Sequence, residues 1–221
     1  MIFWLAGAFA FGILTPFTAR RFSKFMPATF AGAIFELLRR EKKVSQYRHI
    51  KQYKKLMWRS FMTGLLNIAL TGLVMYKFRD FPFIAVCIWL LLLLAEIDIR
   101  SFLLPDILTI PLLLLGLLAS YIGKGVVSSD VSIYGAIIGY FLPVVVSLLI
   151  VWYKKDAFGG GDIKLLAAIG AWLGTEGLLY VITLSSVLGL LWALLRHKNS
   201  LAFGPMIAIS GIIIMLAQGY F

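Results

Sequence analysis

The chain has 221 residues, of which 61% are hydrophobic and 14% are charged, and its mean hydropathy is +0.94. A soluble domain carries about a quarter charged residues, so this composition excludes a soluble globular protein, and the long unbroken apolar runs exclude a β-barrel. The formal net charge is +11, but the cations cluster between apolar segments, as in the loops of membrane proteins. We therefore expect a lipid bilayer, and no nucleic acid, around this chain.

Eight apolar segments approach the length of about 20 residues that crosses a bilayer. They lie near 2–18, 60–78, 82–97, 107–123, 133–153, 163–177, 178–195 and 202–219. The first has no charged leading region and no convincing cleavage site, so it is interpreted as a span and not as a signal peptide. Residues 163–177 are rich in Gly and Ala, which predicts close packing against neighbouring helices. The predicted fold is an all-α, polytopic membrane bundle of about eight transmembrane helices.

A basic segment at residues 19–59 separates the first two spans. Twelve of the 21 Lys and Arg lie between residues 20 and 59. Its apolar residues recur at helical spacing, which predicts an amphipathic helix on the inner membrane surface. A dock for a substrate or partner is the functional alternative.

The distribution of Lys and Arg predicts the orientation of the chain. If 19–59 is cytoplasmic, the cytoplasmic segments also include 98–106, 154–164 and 196–200, and together they hold 18 of the 21 Lys and Arg. The positive-inside rule then predicts eight spans with both termini outside the cytoplasm. We divide the chain into N-terminal spans with the basic segment (1–80) and a membrane-embedded core (81–221).

The cysteine and the two histidines give no sign of a metal site. Cys87 lies inside an apolar run and has no second cysteine to pair with, so it is interpreted as a small buried side chain. His49 and His197 are far apart and lack partners at ligand spacing. No metal is therefore expected.

Two aspartates at predicted span ends are the candidate catalytic residues. Asp98 ends a span that runs inward and Asp162 begins one that runs outward, so both should lie at the cytoplasmic face. Two carboxylates that share a proton can activate a water and protonate a scissile carbonyl. Glycines 159–161 would let the backbone approach an extended peptide. The pattern is typical of aspartyl proteolysis at a membrane face.

Capping of helices is the structural alternative for two of the acidic residues. Asp162 could be the N-cap of the helix that follows it. Asp106 follows Pro105 and has Thr109 three residues later, which makes it the better cap candidate of the two.

Ion pairing is the structural alternative for the charged neighbours. Asp98 could extend to the interface and pair with Arg100, whereas Glu96 is expected to make a polar contact away from the site. Lys164 could hold Asp162 ionised, or could contact a lipid phosphate.

Two motifs resemble the signatures of the type IV prepilin peptidases. GGGD at 159–162, followed by IKLLAAIGAWLG, resembles the G-x-G-D segment of that family, and DIRSFLLPDILTIP at 98–111 resembles its other signature. They occur in the family's order, about 60 residues apart. The resemblance covers roughly residues 85–195.

The resemblance implies an aspartic endopeptidase of the bacterial inner membrane that removes a short basic leader from prepilins or pseudopilins, after a glycine at the cytoplasmic face. It implies that Asp98 and Asp162 are catalytic and that Asp106, beside Pro105, is structural. Gly159 and Gly161 match the G-x-G-D glycines, and Gly160 and Lys164 complete that motif.

The resemblance leaves methylation open. Proteolysis in the family needs no cofactor, whereas many bacterial members also methylate the new N-terminus with S-adenosylmethionine. Many members carry two CxxC pairs in the first cytoplasmic loop, where they can bind zinc. Residues 19–59 contain no cysteine, so the zinc-binding element is absent.

Two other functions are compatible with parts of the sequence. A non-enzymatic scaffold or transporter subunit could have eight spans and intramembrane carboxylates, but we find no internal repeat, and the unusual residues gather at one face. A protease that resembles signal peptide peptidase would also use G-x-G-D. That class usually has a Tyr-Asp motif, where this chain has Ile97-Asp98.

Overall fold

The computed structural model describes residues 2–25, 46–78, 83–151, 159–196 and 202–218. Within these ranges the chain forms seven α-helices and no strands. In chain order they are α1 (Ile2–Phe25), α2 (Gln46–Lys77), α3 (Phe83–Ser101), α4 (Asp106–Tyr121), α5 (Ser129–Val151), α6 (Gly160–Arg196) and α7 (Gly204–Gln218). The predicted all-α class is confirmed for this part of the chain.

Several helices have the length and composition of membrane spans. Ile2–Ser23, Ser129–Leu149 and Gly160–Leu195 are long and apolar enough to cross a bilayer, and Asp106–Tyr121 and Gly204–Gln218 are shorter apolar helices. These segments support a membrane helix bundle, and the number of eight spans stays a prediction.

The basic segment is only partly described. α1 extends into it as far as Phe25, and α2 already begins at Gln46. The predicted span 60–78 is therefore the second half of a longer helix, which no proline interrupts. The predicted surface helix falls largely on residues 26–45, which lie outside the described residues.

The predicted spans 163–177 and 178–195 are the two arms of α6. The chain leaves helical geometry at Gly174 (φ 70°, ψ −174°), a few residues before the predicted boundary between these spans. Its positive φ is a conformation that favours glycine. Asp162 on the first arm and Ser186 on the second line the same cavity. A straight helix would separate them by about 36 Å, so the arms fold back on each other.

The first arm of α6 forms the centre of the bundle. Residues 165–174 are all buried, which confirms the predicted close packing of this segment. Gly170 meets Gly135 of α5 so closely that a Cβ on either glycine would overlap the other's backbone. Trp172 is buried and donates its indole N–H to the carbonyl of Leu112 in α4, at 2.9 Å. The arm is thus fixed against α4 and α5 and can hold Asp162 in place.

Candidate active site

Asp98 is held at the beginning of α7. It lies near the end of α3, and only 4% of its surface is exposed. Its Oδ2 accepts a hydrogen bond from the backbone N–H of Gly204, at 2.9 Å. Gly204 is the first residue of α7, and the free N–H groups and the dipole at a helix N-terminus stabilise a carboxylate. The structural alternative for Asp98, an ion pair with Arg100, is wrong, because Arg100 binds Glu96 instead.

Burial changes the acidity of Asp98, which lies beyond the predicted span 82–97. Desolvation raises the pKa of its carboxyl, and the hydrogen bond from Gly204 opposes this only in part. Burial disfavours the charged form of an acid. Asp98 therefore holds a proton more readily than an exposed aspartate does.

Asp162 lies in the first turn of α6. The helix begins at Gly160, and the N–H of Asp162 donates to the carbonyl of Gly159, at 3.0 Å. The alternative of Asp162 as the N-cap is therefore wrong, since Gly159 occupies that position. The side chain of Asp162 instead lines a cavity of about 510 Å³.

The fold brings the two aspartates to one site. Asp98 and Asp162 lie close enough to interact electrostatically. Phe203 lines the cavity beside Asp162, and the next residue, Gly204, binds Asp98. Two carboxylates from separate helices thus flank the residues at the beginning of α7. Such a pair can share one proton and supply both an acid and a base.

The three glycines before Asp162 have different surroundings. A Cβ on Gly161 would lie 2.8 Å from the Cβ of Leu104, so its absence lets the segment after α3 pack on the first turn of α6. A Cβ on Gly159 would lie 3.1 Å from Oδ2 of Asp162. A Cβ on Gly160 would meet nothing within 4 Å. Close approach therefore requires glycine at 161, and 160 could hold a larger residue.

Asp106 and Lys164 join the two signature motifs. Nζ of Lys164 lies 2.6 Å from both carboxylate oxygens of Asp106. The N-cap of α4 is Pro105, with no side-chain cap hydrogen bond, so the alternative in which Asp106 caps this helix is wrong. Of the two alternatives for Lys164, the one in which it holds Asp162 ionised differs from the structure, which pairs Lys164 with Asp106. The structural role expected of Asp106 is consistent with this link between α4 and α6.

Glu96 projects from α3 toward α2. Its carboxylate accepts two hydrogen bonds from Arg59, at 2.8 and 2.9 Å, and is also bound by Arg100, at 2.7 Å. The expected polar contact of Glu96 is thus confirmed. Asp98 binds α7 instead, so Glu96 does not belong to the aspartate site.

The cavity beside Asp162 is largely apolar. It lies between α5 and the two arms of α6, and its walls include Leu142, Pro143, Leu166, Ile182, Ser185 and Ser186. Among the described residues that line it, Asp162 is the only ionisable one. An apolar peptide side chain could lie there with its backbone near the carboxylate.

This chain is similar to known proteins over the region that contains both aspartates. Residues 85–194 match the profile described as the type IV leader peptidase family. Both aspartates and both signature motifs fall inside this range. Residues 85–194 belong to the type IV leader peptidase family.

Bacterial prepilin leader peptidases are similar to more than half of this chain. A prepilin leader peptidase/N-methyltransferase of Xanthomonas campestris pv. campestris is 34% identical over 177 residues, which are 72% of this chain and 59% of that protein. Those of Pectobacterium carotovorum subsp. carotovorum and Pseudomonas aeruginosa are 40% and 42% identical over 143 and 136 residues. These stretches are 59% and 58% of this chain and 49% and 47% of the relatives. The chain thus spans about half the length of the curated relatives it matches, and no solved structure matches it significantly.

The described residues of the aspartate site offer no matching ligands for a metal ion or for S-adenosylmethionine. Within the described ranges, no group of three His, Cys, Asp or Glu side chains could hold a metal ion. The amino-acid end of S-adenosylmethionine carries a carboxylate, and the described lining of the cavity beside Asp162 contains no Lys or Arg. These residues do not fit S-adenosylmethionine, so we assign it no site here.

Sequence reasoning missed Gly204, which lies outside the matched family range. A Cβ at this position would lie 2.7 Å from Oδ2 of Asp98, so only glycine leaves room for the carboxylate. The signal in the sequence is Phe203-Gly204-Pro205, since a proline at the beginning of a helix marks its first turn. That signal predicts where α7 begins, but gives no indication that the helix points at Asp98.

Proposed function

We propose that the chain is a membrane aspartyl endopeptidase that removes the short basic leader of type IV prepilins or pseudopilins. Cleavage would follow a glycine at the cytoplasmic face of the bacterial inner membrane. The chain would cross this membrane eight times, with both termini outside the cytoplasm. The observation that carries this proposal is the meeting of Asp98 and Asp162 beside Gly204. The names of the relatives, prepilin leader peptidase/N-methyltransferase, support it.

The two carboxylates divide the catalytic work. Asp98 has the backbone N–H of Gly204 to stabilise its charge, so we assign it as the base that takes a proton from the attacking water. Asp162 faces the cavity and, in its protonated form, donates to the scissile carbonyl oxygen. The proton taken by Asp98 then passes to the leaving amide nitrogen, and the C–N bond breaks. As the carbonyl re-forms, a hydroxyl of the gem-diol intermediate returns a proton to Asp162. The pair ends with one proton, as it began.

The substrate must unwind before it reaches the pair. In a membrane helix the scissile carbonyl is hydrogen-bonded within the helix, and a glycine at that point lowers the cost of unwinding. The cavity beside Asp162 would then take the apolar side chain next to the scissile bond. Its apolar walls, including Pro143 and Ile182, suit the apolar start of a mature pilin helix.

Methylation is a separate question for this chain. The relatives' names include an N-methyltransferase. If the chain has this activity, its methyl donor would be S-adenosylmethionine. The aspartate site supports proteolysis without it.

Product mass tests the proposed function. The full chain in nanodiscs would be incubated with a prepilin-like substrate that has a basic leader and a Gly-Phe junction, and the products analysed by mass spectrometry. We expect cleavage after the glycine, and S-adenosylmethionine would add the mass of one methyl group only if methylation occurs. No cleavage by well-folded protein on several such substrates would refute the proposal. If membrane helices without a basic leader were cleaved as fast as the prepilin-like substrate, the protein would have other membrane proteins as its substrates.

A cavity-filling variant tests the role of the cavity. Ser186→Phe would fill part of it, whereas Thr183→Phe changes an exposed residue of the same arm that is not among the cavity residues. We expect Ser186→Phe to raise KM for a Gly-Phe substrate more than for a Gly-Ala substrate. Thr183→Phe should leave both values close to wild type. An equal effect of Ser186→Phe on both substrates would exclude the cavity as the site of this side chain.

A further inference from the structure

A second cavity lies on the side of α3 that faces α1 and α2. It has a volume of about 300 Å³ and is lined by Arg20 from α1, by Lys55, Leu56 and Arg59 from α2, and by Arg100 from α3. We call it the basic cavity. Asp98 binds α7 instead, so the basic cavity is separate from the aspartate site.

The basic cavity carries an excess of positive charge. Glu96 bridges Arg59 and Arg100 and is itself only 10% exposed. Arg20 and Lys55 form no ion pair within the described part of the chain. Four cations thus line a cavity beside one carboxylate. Like charges that converge raise each other's electrostatic energy, and an anion between them lowers it.

The arrangement differs from an ordinary basic membrane surface. Cations that serve only the positive-inside rule can point into water, where they do not interact. Here three helices direct them into one concavity, in which Leu56 is only 7% exposed. Arginine binds phosphate oxygens through paired N–H groups. The chemistry of the lining therefore favours a phosphate group.

The surface beside the basic cavity is apolar. Met57, Trp58 and Phe61 follow Lys55 on α2 and are 53%, 65% and 45% exposed. The rings of Trp58 and Phe61 lie 6.5 Å apart. Exposed tryptophan next to cations is typical of the headgroup level of a bilayer. A ligand with a phosphate head and an apolar tail matches both features, whereas free phosphate matches only the first.

We propose that the basic cavity binds the phosphate group of an anionic phospholipid, whose chains contact the exposed apolar residues of α2. The phosphate lies among Arg20, Lys55 and Arg59, where it offsets the charge that Glu96 leaves uncompensated. This site does not depend on peptidase activity. It gives the basic end of α2 a fixed position at the membrane surface.

Native mass spectrometry of the full chain tests this proposal. Phosphatidylglycerol, and phosphatidylcholine as the zwitterionic control, would be titrated onto wild type, Arg20→Gln and Lys55→Gln. Neither variant removes a partner of Glu96. Lys124→Gln is the matched control, because Lys124 is exposed and does not line the basic cavity. Arg20→Lys keeps the charge, and size-exclusion chromatography checks the folding of each protein.

We expect one phosphatidylglycerol to bind wild type in preference to phosphatidylcholine. Arg20→Gln and Lys55→Gln should each weaken this binding about fivefold, as expected for one cation near an anionic lipid. Lys124→Gln should not weaken it, and Arg20→Lys should restore most of it. Equal weakening in all three Gln variants would show diffuse attraction and refute the site. Displacement of the lipid by inorganic phosphate would assign the cavity to a soluble anion, and displacement by an acidic peptide to a protein partner.

Discussion

The backbone N–H of Gly204 donates to Asp98 at 2.9 Å, at a position where a Cβ would lie 2.7 Å from the same carboxylate oxygen. The beginning of α7 therefore both binds and confines this aspartate. Because Gly204 follows Phe203, which lines the cavity of Asp162, the same two residues connect both carboxylates. The aspartate site thus depends on α7 as well as on the two signature motifs.

Substitution of Gly204 by alanine should lower the cleavage rate strongly and change the thermal unfolding temperature only slightly. The added methyl group would displace the carboxylate of Asp98, and a displacement of about 1 Å can cost about 10²-fold in rate. Cleavage rates and thermal unfolding of Gly204→Ala would be measured together. Gly160→Ala is the control, because its Cβ meets nothing within 4 Å. Equal activity of the two variants would show that the contact with Gly204 does not position Asp98.

A difference between Gly161 and Gly160 should appear in stability. Gly161→Ala places a methyl group 2.8 Å from the Cβ of Leu104, and overpacking of this kind costs about 1–3 kcal/mol. Gly160→Ala should be neutral or slightly stabilising, since alanine favours a helix. Thermal unfolding in one detergent would measure both variants. A Gly161→Ala protein as stable as wild type would mean that the segment around Leu104 moves at little cost.

The ion pair of Asp106 and Lys164 should contribute modestly to the free energy of unfolding. Both side chains are partly exposed, and such pairs contribute about 0.2–1 kcal/mol. Asp106→Asn should therefore lower the free energy of unfolding by up to this amount and reduce cleavage only in part. Lys164→Met and the double variant complete a mutant cycle that isolates the pair. Complete loss of activity in a well-folded Asp106→Asn protein would assign Asp106 a catalytic role.

Cleavage should have a bell-shaped dependence on pH. Below the lower apparent pKa of the pair both carboxyls are protonated and no base remains, and above the upper one both are ionised and no acid remains. Burial raises the pKa of Asp98, and this base works only when it is ionised, so the acidic limb should lie above the usual aspartate value of about 4. The pH profile of kcat/KM in nanodiscs would measure both limbs. A rate that does not fall on the alkaline side while the protein stays folded would contradict proton sharing.

The sequence was sufficient to predict the helical class and the meeting of two motifs. Asp98 and Asp162 stood out because carboxylates are costly beside apolar segments, and their positions at span ends indicated a common face. The close packing of 163–177 was visible because small residues recur there. Each of these features depends on composition and spacing along the chain.

The contacts that long-range packing decides were not predictable in the same way. Asp106 looked like a helix cap from its neighbours, but Lys164, 58 residues later, binds its carboxylate in the structure. Gly204 looked only like the beginning of a helix, because nothing in its neighbourhood indicates Asp98. A local pattern indicates which position in a helix each residue prefers. The residue that it contacts across the fold is decided by the arrangement of α3, α4, α6 and α7.

The central claim is that Asp98 and Asp162 act together as the catalytic pair. Its most direct test is the cleavage rate of Asp98→Asn and Asp162→Asn on a Gly-Phe prepilin substrate, beside wild type and Asp106→Asn. We expect each of the first two variants to lose at least about 10²-fold in rate while remaining folded, and Asp106→Asn to keep measurable activity. Cleavage at the wild-type rate by either Asp98→Asn or Asp162→Asn would contradict the account.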